Sequence, residues 1–142
     1  MKTQSDLSPT DNSKNLHKLI GLVAGNTIAA AVQRNNFIVN DVPASFEIAT
    51  DQNNLAIILD SLLSTVVSNT QHSCIRIEAK EYEDMMFVVV RDNSGFSNYD
   101  IDGNLKQVKL LAKNLNGTVT ITNKEEKSTS ILLSFPNFPK VA

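Results

Sequence analysis

Apolar and polar positions alternate with two different periods along this chain, and the switches between them mark out its elements. From Leu16 to about Arg34, Leu16, Leu19, Ile20, Val23, Thr27 and Ala30 or Ala31 recur at helical spacing, with Ser13 as the expected N-cap. Asn35-Asn36 then breaks the pattern. Phe37 to Asn40 and Ala44 to Ile48 are short enough for two strands joined around Pro43. Asp51 is placed to cap a helix from Asn53 to about Ser68, whose apolar stripe is Leu55, Ile58, Leu59, Leu62, Leu63, Val66 and Val67. A stripe that broad suits a helix lying on a sheet.

Beyond it the period falls to two. Cys74 to Glu81 alternates cleanly, and Met85 to Arg91 is its hairpin partner through Glu83-Asp84. A helix is expected over Leu105 to Leu115, stopped by Asn116-Gly117. Val119 to Asn123 and Ser130 to Phe135 form a terminal hairpin around Lys124-Glu125-Glu126-Lys127, and Pro136 and Pro139 end it. Strands in antiparallel runs, interspersed with helices, predict an α+β fold: a two-layer α/β sandwich with one mixed, mostly antiparallel sheet and helices on one face.

Composition narrows the picture without deciding it. The 142 residues and 42% hydrophobic content suit one domain with one core. Residues 1–14, rich in Ser, Asp, Asn, Thr and Lys, are expected as a flexible tail, and 15–142 as the domain. A net charge of −2 with no basic run argues against a nucleic-acid partner. The N-terminus lacks the apolar core of a signal peptide, and no apolar run reaches the about eighteen residues of a membrane span. With Cys74 as the only cysteine, a cytoplasmic location and no membrane contact are expected.

The candidate chemistry starts at Val88-Val89-Val90-Arg91-Asp92-Asn93-Ser94-Gly95-Phe96, where a β-branched run delivers one carboxylate to a turn of small residues. The order of elements around it resembles the GHKL (Bergerat-fold) ATPases, closest to the histidine-kinase branch, over roughly residues 16 to 136. That family's first motif lies on the helix and the residues after it, Leu55 to Thr70. The resemblance puts its two Asn at Ser61 and Thr65 and its Lys at Ser68, so Thr65 takes the place of the Mg²⁺ ligand. A Thr hydroxyl is shorter and poorer than an amide oxygen for that hard cation.

The second motif, D-x-G-x-G, falls on Asp92-Asn93-Ser94-Gly95-Phe96. Asp92 matches the family's adenine reader. The glycines become Ser94 and Phe96, with Gly95 out of phase, and Phe96 either stacks on a ligand or fills the pocket. The third, phosphate-cradling motif falls on Asp102-Gly103-Asn104-Leu105, with one displaced glycine and an added negative charge. The segment from Gly95 to Leu105 is short, so the lid of active kinases is expected to be absent. Ser130 falls where a Thr often supports the adenine-reading Asp.

The resemblance implies a remnant nucleotide pocket of Asp92, Ser61, Thr65, Gly95, Gly103 and Ser130. It implies ATP with Mg²⁺ as the cofactor of an intact site, with doubtful binding in this chain, and two-component signal transduction as the setting. Partners would be signalling proteins of histidine-kinase or response-regulator type, with a homodimer through the first helix as a further expectation. Gly21 and Gly25 permit close approach there, internal packing being their expected use. The regulatory, protein-binding reading stands against an active ATP-binding kinase, either a histidine kinase or an anti-sigma-type serine kinase. His17 lacks the neighbours of a phospho-accepting His and is expected as a surface residue, as is His72 in a polar turn. No Ser-His-Asp or metal-ligand cluster is visible in the sequence.

Overall fold

Asn15 begins the first helix, and it does so by tertiary as well as local bonds. In this computed structural model, which describes residues 14–93, 103–125 and 128–138, its side-chain oxygen accepts the Lys18 backbone N–H at 2.9 Å. Its Nδ2 donates to the Ala44 carbonyl at 2.7 Å. Ser13, the expected cap, lies outside the described residues, and Asn15 caps instead. Helix α1 runs over Leu16–Gln33 and buries Leu16, Leu19, Ile20, Val23, Thr27 and Ala31. Asn35 stops it in the left-handed region (φ 59°). The Asn36 and Asn35 N–H groups return to the carbonyls of Ala31 and Val32 at 2.8 and 3.0 Å, a Schellman closure.

Strand β1 is Phe37–Asn40. Ala44 to Ile48 is not a second strand: it holds a turn and one isolated bridge, Asn15 to Glu47. Its hydrogen bonds go elsewhere. Leu16 N–H reaches the Phe46 carbonyl at 3.0 Å, and Ile48 N–H reaches the Lys14 carbonyl at 2.6 Å. Helix α2, Gln52–Ser68, is capped by Asp51 and buries the seven apolar residues that its stripe predicts.

Strands β2 (Cys74–Tyr82) and β3 (Met85–Asp92) turn through Glu83 and Asp84, both at positive φ (50° and 66°) as a tight hairpin requires. Helix α3 covers only Lys106–Ala112; Lys113–Leu115 tightens into a 3-10 turn, so the expected helix is shorter. Asn116 (φ 57°) and Gly117 then reverse the chain. A Cβ on Gly117 would sit 2.6 Å from the Ser134 carbonyl oxygen, so close packing on β5 demands glycine there. Strands β4 (Thr118–Glu125) and β5 (Ser128–Pro136) close the fold.

The described strands form one sheet in the order β1-β2-β3-β5-β4. β1 pairs parallel to β2 and every other pairing is antiparallel. One face is buried: Ile75 and Ile77, then Met86, Val88 and Val90, then Ile131, Leu133 and Phe135 share a single core with the buried faces of all three described helices. The period of two along β2, β3 and β5 leaves the alternate residues on the open face. This is the α+β sandwich that the alternation predicts.

Candidate functional site

The same alternation carries Asp92 inside. It continues the row Met86, Val88, Val90 on the helix-facing side and ends β3 with its carboxylate buried, 1% exposed. A buried carboxylate needs donors. Ser73 Oγ donates to Asp92 Oδ1 at 2.5 Å, and Thr70 Oγ1 donates to the same oxygen at 3.2 Å. Thr70 follows the end of α2 and Ser73 precedes β2, so the carboxylate gathers the loop between those elements. Thr129, fully buried, stands opposite Asp92 in the β3–β5 register.

Asn36 holds the same loop from the other side. Its Oδ1 accepts the Ser73 N–H at 3.1 Å, and its Nδ2 donates to the carbonyls of Thr70 at 3.1 Å and Val67 at 3.4 Å. Arg34 adds a bond from Nε to the Thr70 carbonyl at 2.8 Å. Asn93 Oδ1 accepts the Cys74 N–H at 3.1 Å. The ends of α1, α2 and β3 and the starts of β1 and β2 therefore meet in one polar knot with Asp92 as its acceptor. Satisfied networks of this kind restrict the positions of their members.

The other candidate residues distribute unevenly around this knot. Ser61 and Thr65 lie one turn apart on α2, both half-buried. Thr65 Oγ1 donates to the Ser61 carbonyl at 2.8 Å, and Asn69 Nδ2 donates to the Thr65 carbonyl at 2.7 Å. Both polar side chains, those of Thr65 and Asn69, therefore fold back along the helix. Gly103 is exposed in the turn leading into α3, where its carbonyl accepts the Lys106 N–H at 3.1 Å. Gly95 lies outside the described residues, with Ser94, Phe96, Asp102 and the whole segment where a lid would stand.

Ser130 is displaced from the role expected of it. It pairs with Arg91 on the open face, where its hydroxyl accepts from Arg91 Nε at 3.5 Å. Adjacent strand residues point to opposite faces, so Ser130 and Asp92 are on opposite sides of the sheet, and Thr129 takes the place beside the carboxylate. His17 is half-buried, not a free surface residue: its Nδ1 lies 2.7 Å from the Val42 carbonyl, which ties α1 to the chain after β1. His72 is exposed in a left-handed turn.

Sequence reasoning passed over Asn36, Thr70, Ser73 and Thr129. Only Thr129 left a signal, as a polar residue in phase with the buried Ile131, Leu133 and Phe135. It also passed over Asn137, which stands at the opposite end of the sheet beside a cavity of about 520 Å³ lined by Lys14, Glu47, Thr50, Gln52 and Glu81 among others. That cavity is remote from Asp92, and none of the residues that hold the carboxylate lines it. Among the described residues, no group of three or more His, Cys, Asp or Glu side chains is placed to hold a metal ion. No described helix is long and apolar enough to cross a membrane.

No family model matches the chain, and no curated protein matches its sequence. Solved structures do match. The histidine kinase AdeS of Acinetobacter baumannii superposes with a TM-score of 0.77 at 11% identity, over 87% of this chain and 66% of that one. A nucleotide-free catalytic domain of the histidine kinase ThkA gives 0.71 at 16% identity, over 89% and 96% of the two chains. Full-length ShkA in complex with AMPPNP gives 0.72 at 18% identity, over 90% of this chain and 31% of that one. The chain thus spans just under two thirds of the AdeS structure and under a third of ShkA. With its mixed sheet and its one-sided helices, the protein has the fold of the histidine-kinase ATPase domain.

Proposed function

We propose that this is a histidine-kinase-like domain of two-component-type signal transduction whose nucleotide site has eroded and which acts mainly as a regulatory, protein-binding module. The observation that carries this reading is at Thr65. Where the family places an amide oxygen against Mg²⁺, this chain has a hydroxyl that spends its proton on the Ser61 carbonyl of its own helix. Mg²⁺ demands near-ideal octahedral oxygen geometry at about 2.1 Å. A short side chain folded along the helix does not fit that demand. Phosphoryl transfer rests almost wholly on positioning and charge neutralisation, and it does not survive loss of the metal's seat.

Partners in this reading are signalling proteins of the histidine-kinase or response-regulator type, including a homodimer through α1. The location is cytoplasmic, and nucleic acid and membrane play no part. The domain comprises residues 15–142, lacks a lid, and keeps Asp92, Ser61, Thr65, Gly95 and Gly103 as remnants of the family's pocket, while Ser130, on the open face of the sheet, takes no part in it.

A second reading is favoured by Asp92 itself. A carboxylate buried at the end of β3 and held by two hydroxyls is also what an adenine reader requires, and the ShkA structure holds AMPPNP. An ATP-binding kinase, of histidine-kinase or anti-sigma serine-kinase type, would keep it. Calorimetric and thermal-shift titration with ATP and ADP, with and without Mg²⁺, separates the two. The eroded site gives no Mg²⁺-dependent shift at millimolar nucleotide. Stabilisation approaching about 2.7 kcal/mol at a hundred times the dissociation constant overturns it in favour of the kinase.

A further inference from the structure

The cavity of about 520 Å³ at the end of the sheet away from Asp92 is walled by segments that are bonded to one another. Asn137, 5% exposed, joins two of them. Its Oδ1 accepts the Ala49 N–H at 2.7 Å and its Nδ2 donates to the Glu47 carbonyl at 2.9 Å, which holds the chain before α2. The same Nδ2 donates to Glu81 Oε2 at 3.4 Å, and the Asn137 N–H reaches the Asp84 carbonyl at 2.7 Å, which holds the β2–β3 hairpin. Lys14 is tied in through its carbonyl, which accepts the Ile48 N–H at 2.6 Å. Lys14, Glu47 and Glu81, the three charged residues of the lining, therefore stand on three segments whose backbones are fixed. The volume lies within the range of about 300–1,000 Å³ that small-molecule sites occupy.

The charges of this lining are not spent on each other. Among the described residues, none of the three belongs to an ion pair. Glu81 meets the neutral amide of Asn137, which orients its carboxylate without neutralising it. Two carboxylates thus face one cavity with one ammonium, and Thr50 and Gln52 add uncharged hydrogen-bonding groups. A metal ion does not fit, since no third acid or imidazole stands with the two carboxylates and the amide turns its N–H to Glu81. An anion does not fit either, because it would meet two like charges.

We infer that this cavity binds a free amino acid with a cationic side chain, of the lysine or arginine type. Such a molecule carries two cationic groups and one carboxylate, the inverse of the lining. Its cations meet Glu47 and Glu81, and its carboxylate meets Lys14. Charge-assisted hydrogen bonds of this kind are about twice as strong as neutral ones. A diamine would leave Lys14 facing a like charge, and a neutral amino acid would leave one carboxylate without a partner. Because the three segments are already bonded together, little ordering is needed on binding. The inference stands on this cavity alone and holds under either reading of the Asp92 end. It gives the domain a small-molecule input at the end of the sheet remote from the family's nucleotide pocket.

Calorimetric titration of the full chain at low salt tests this with four probes: L-lysine, L-arginine, cadaverine, which lacks the carboxylate, and L-norleucine, which lacks the side-chain charge. At least one of the two basic amino acids is expected to bind, with cadaverine and norleucine each about tenfold or more weaker, the scale of one lost charged hydrogen bond. Glu47→Gln and Glu81→Gln are each expected to weaken the basic amino acid by a similar factor. Both side chains are exposed, and glutamine keeps an acceptor for Asn137, so both variants fold, as circular dichroism checks. Lys14→Met is expected to bring the basic amino acid and cadaverine level. No binding of either basic amino acid up to about 10 mM, a concentration that covers millimolar dissociation constants, overturns the inference. Norleucine binding as tightly as lysine overturns the charge pattern that carries it. Binding that survives both glutamine substitutions unchanged overturns its placement in this cavity.

Discussion

Each end of the sheet carries a buried polar side chain that ties down a loop, and the two do it with different chemistry. At one end Asn137 Oδ1 accepts the Ala49 N–H at 2.7 Å, and its Nδ2 donates to the Glu47 carbonyl at 2.9 Å. Its strong partners are backbone groups. The amide stands in for the strand that Ala44 to Ile48 does not form, which is an ordinary structural task. At the other end Asn36 performs the same service for the loop from Val67 to Ser73, and Asp92 is added to it. Asp92 takes side-chain hydroxyls, and it is a carboxylate, which costs far more to desolvate than an amide. Closing a loop needs only the amide. The extra carboxylate, buried and held by hydroxyls, is what sets that end apart.

Removing the acceptor has the largest expected effect. Asp92→Ala strands two buried hydroxyls and is expected to lower stability by about 3 kcal/mol, read from urea unfolding midpoints at constant slope. Asn36→Ala follows at about 2 kcal/mol, because the Ser73 N–H and the Thr70 carbonyl lose partners in a buried setting. Asn137→Ala is expected to cost about 1–2 kcal/mol in the same assay, since Ala49 and Glu47 lie nearer to water than Asn36's partners do. If Asn137→Ala equalled or exceeded Asn36→Ala, the contrast between the two ends would fail.

Finer tests separate charge from shape. Asp92→Asn keeps an oxygen for Ser73 and Thr70 and is expected to change stability by about 1 kcal/mol or less. A loss as large as that of Asp92→Ala would make the carboxylate a folding requirement and remove the functional argument. The smallest effect is expected at Gly25→Ala, a gain of up to about 1 kcal/mol in the monomer's thermal unfolding, because the helix improves and nothing is displaced. A loss there would show that α1 uses Gly25 internally.

Much of this architecture is legible in the chain because it is periodic. The seven buried residues of α2, its Asp51 cap and the Glu83-Asp84 hairpin follow from local spacing. The misjudged positions share one cause, a partner far away in sequence. Ala44 to Ile48 has strand-like residues, but its hydrogen bonds go to the start of α1, while Asn137 takes up the groups beside it. Helix α1 starts at Asn15 and not at Ser13 because Ala44 and Phe46 receive its first groups. Likeness to a motif puts Ser130 beside Asp92, yet a shift of one residue along a strand reverses the face.

The candidate site divides along the same line. The residue pattern alone determined that β3 ends on an acid and that α2 carries Ser61 and Thr65 one turn apart; that they stand where amides would is what the family resemblance implies. Only the tertiary structure decided that Asp92 lies buried under Thr70 and Ser73, that Thr129 and not Ser130 stands beside it, and that Thr65 turns back to Ser61. Periodicity reports which way a side chain faces within its own element. What it meets there is set by the register between strands and by loops closing over many residues, and no local repeat encodes either.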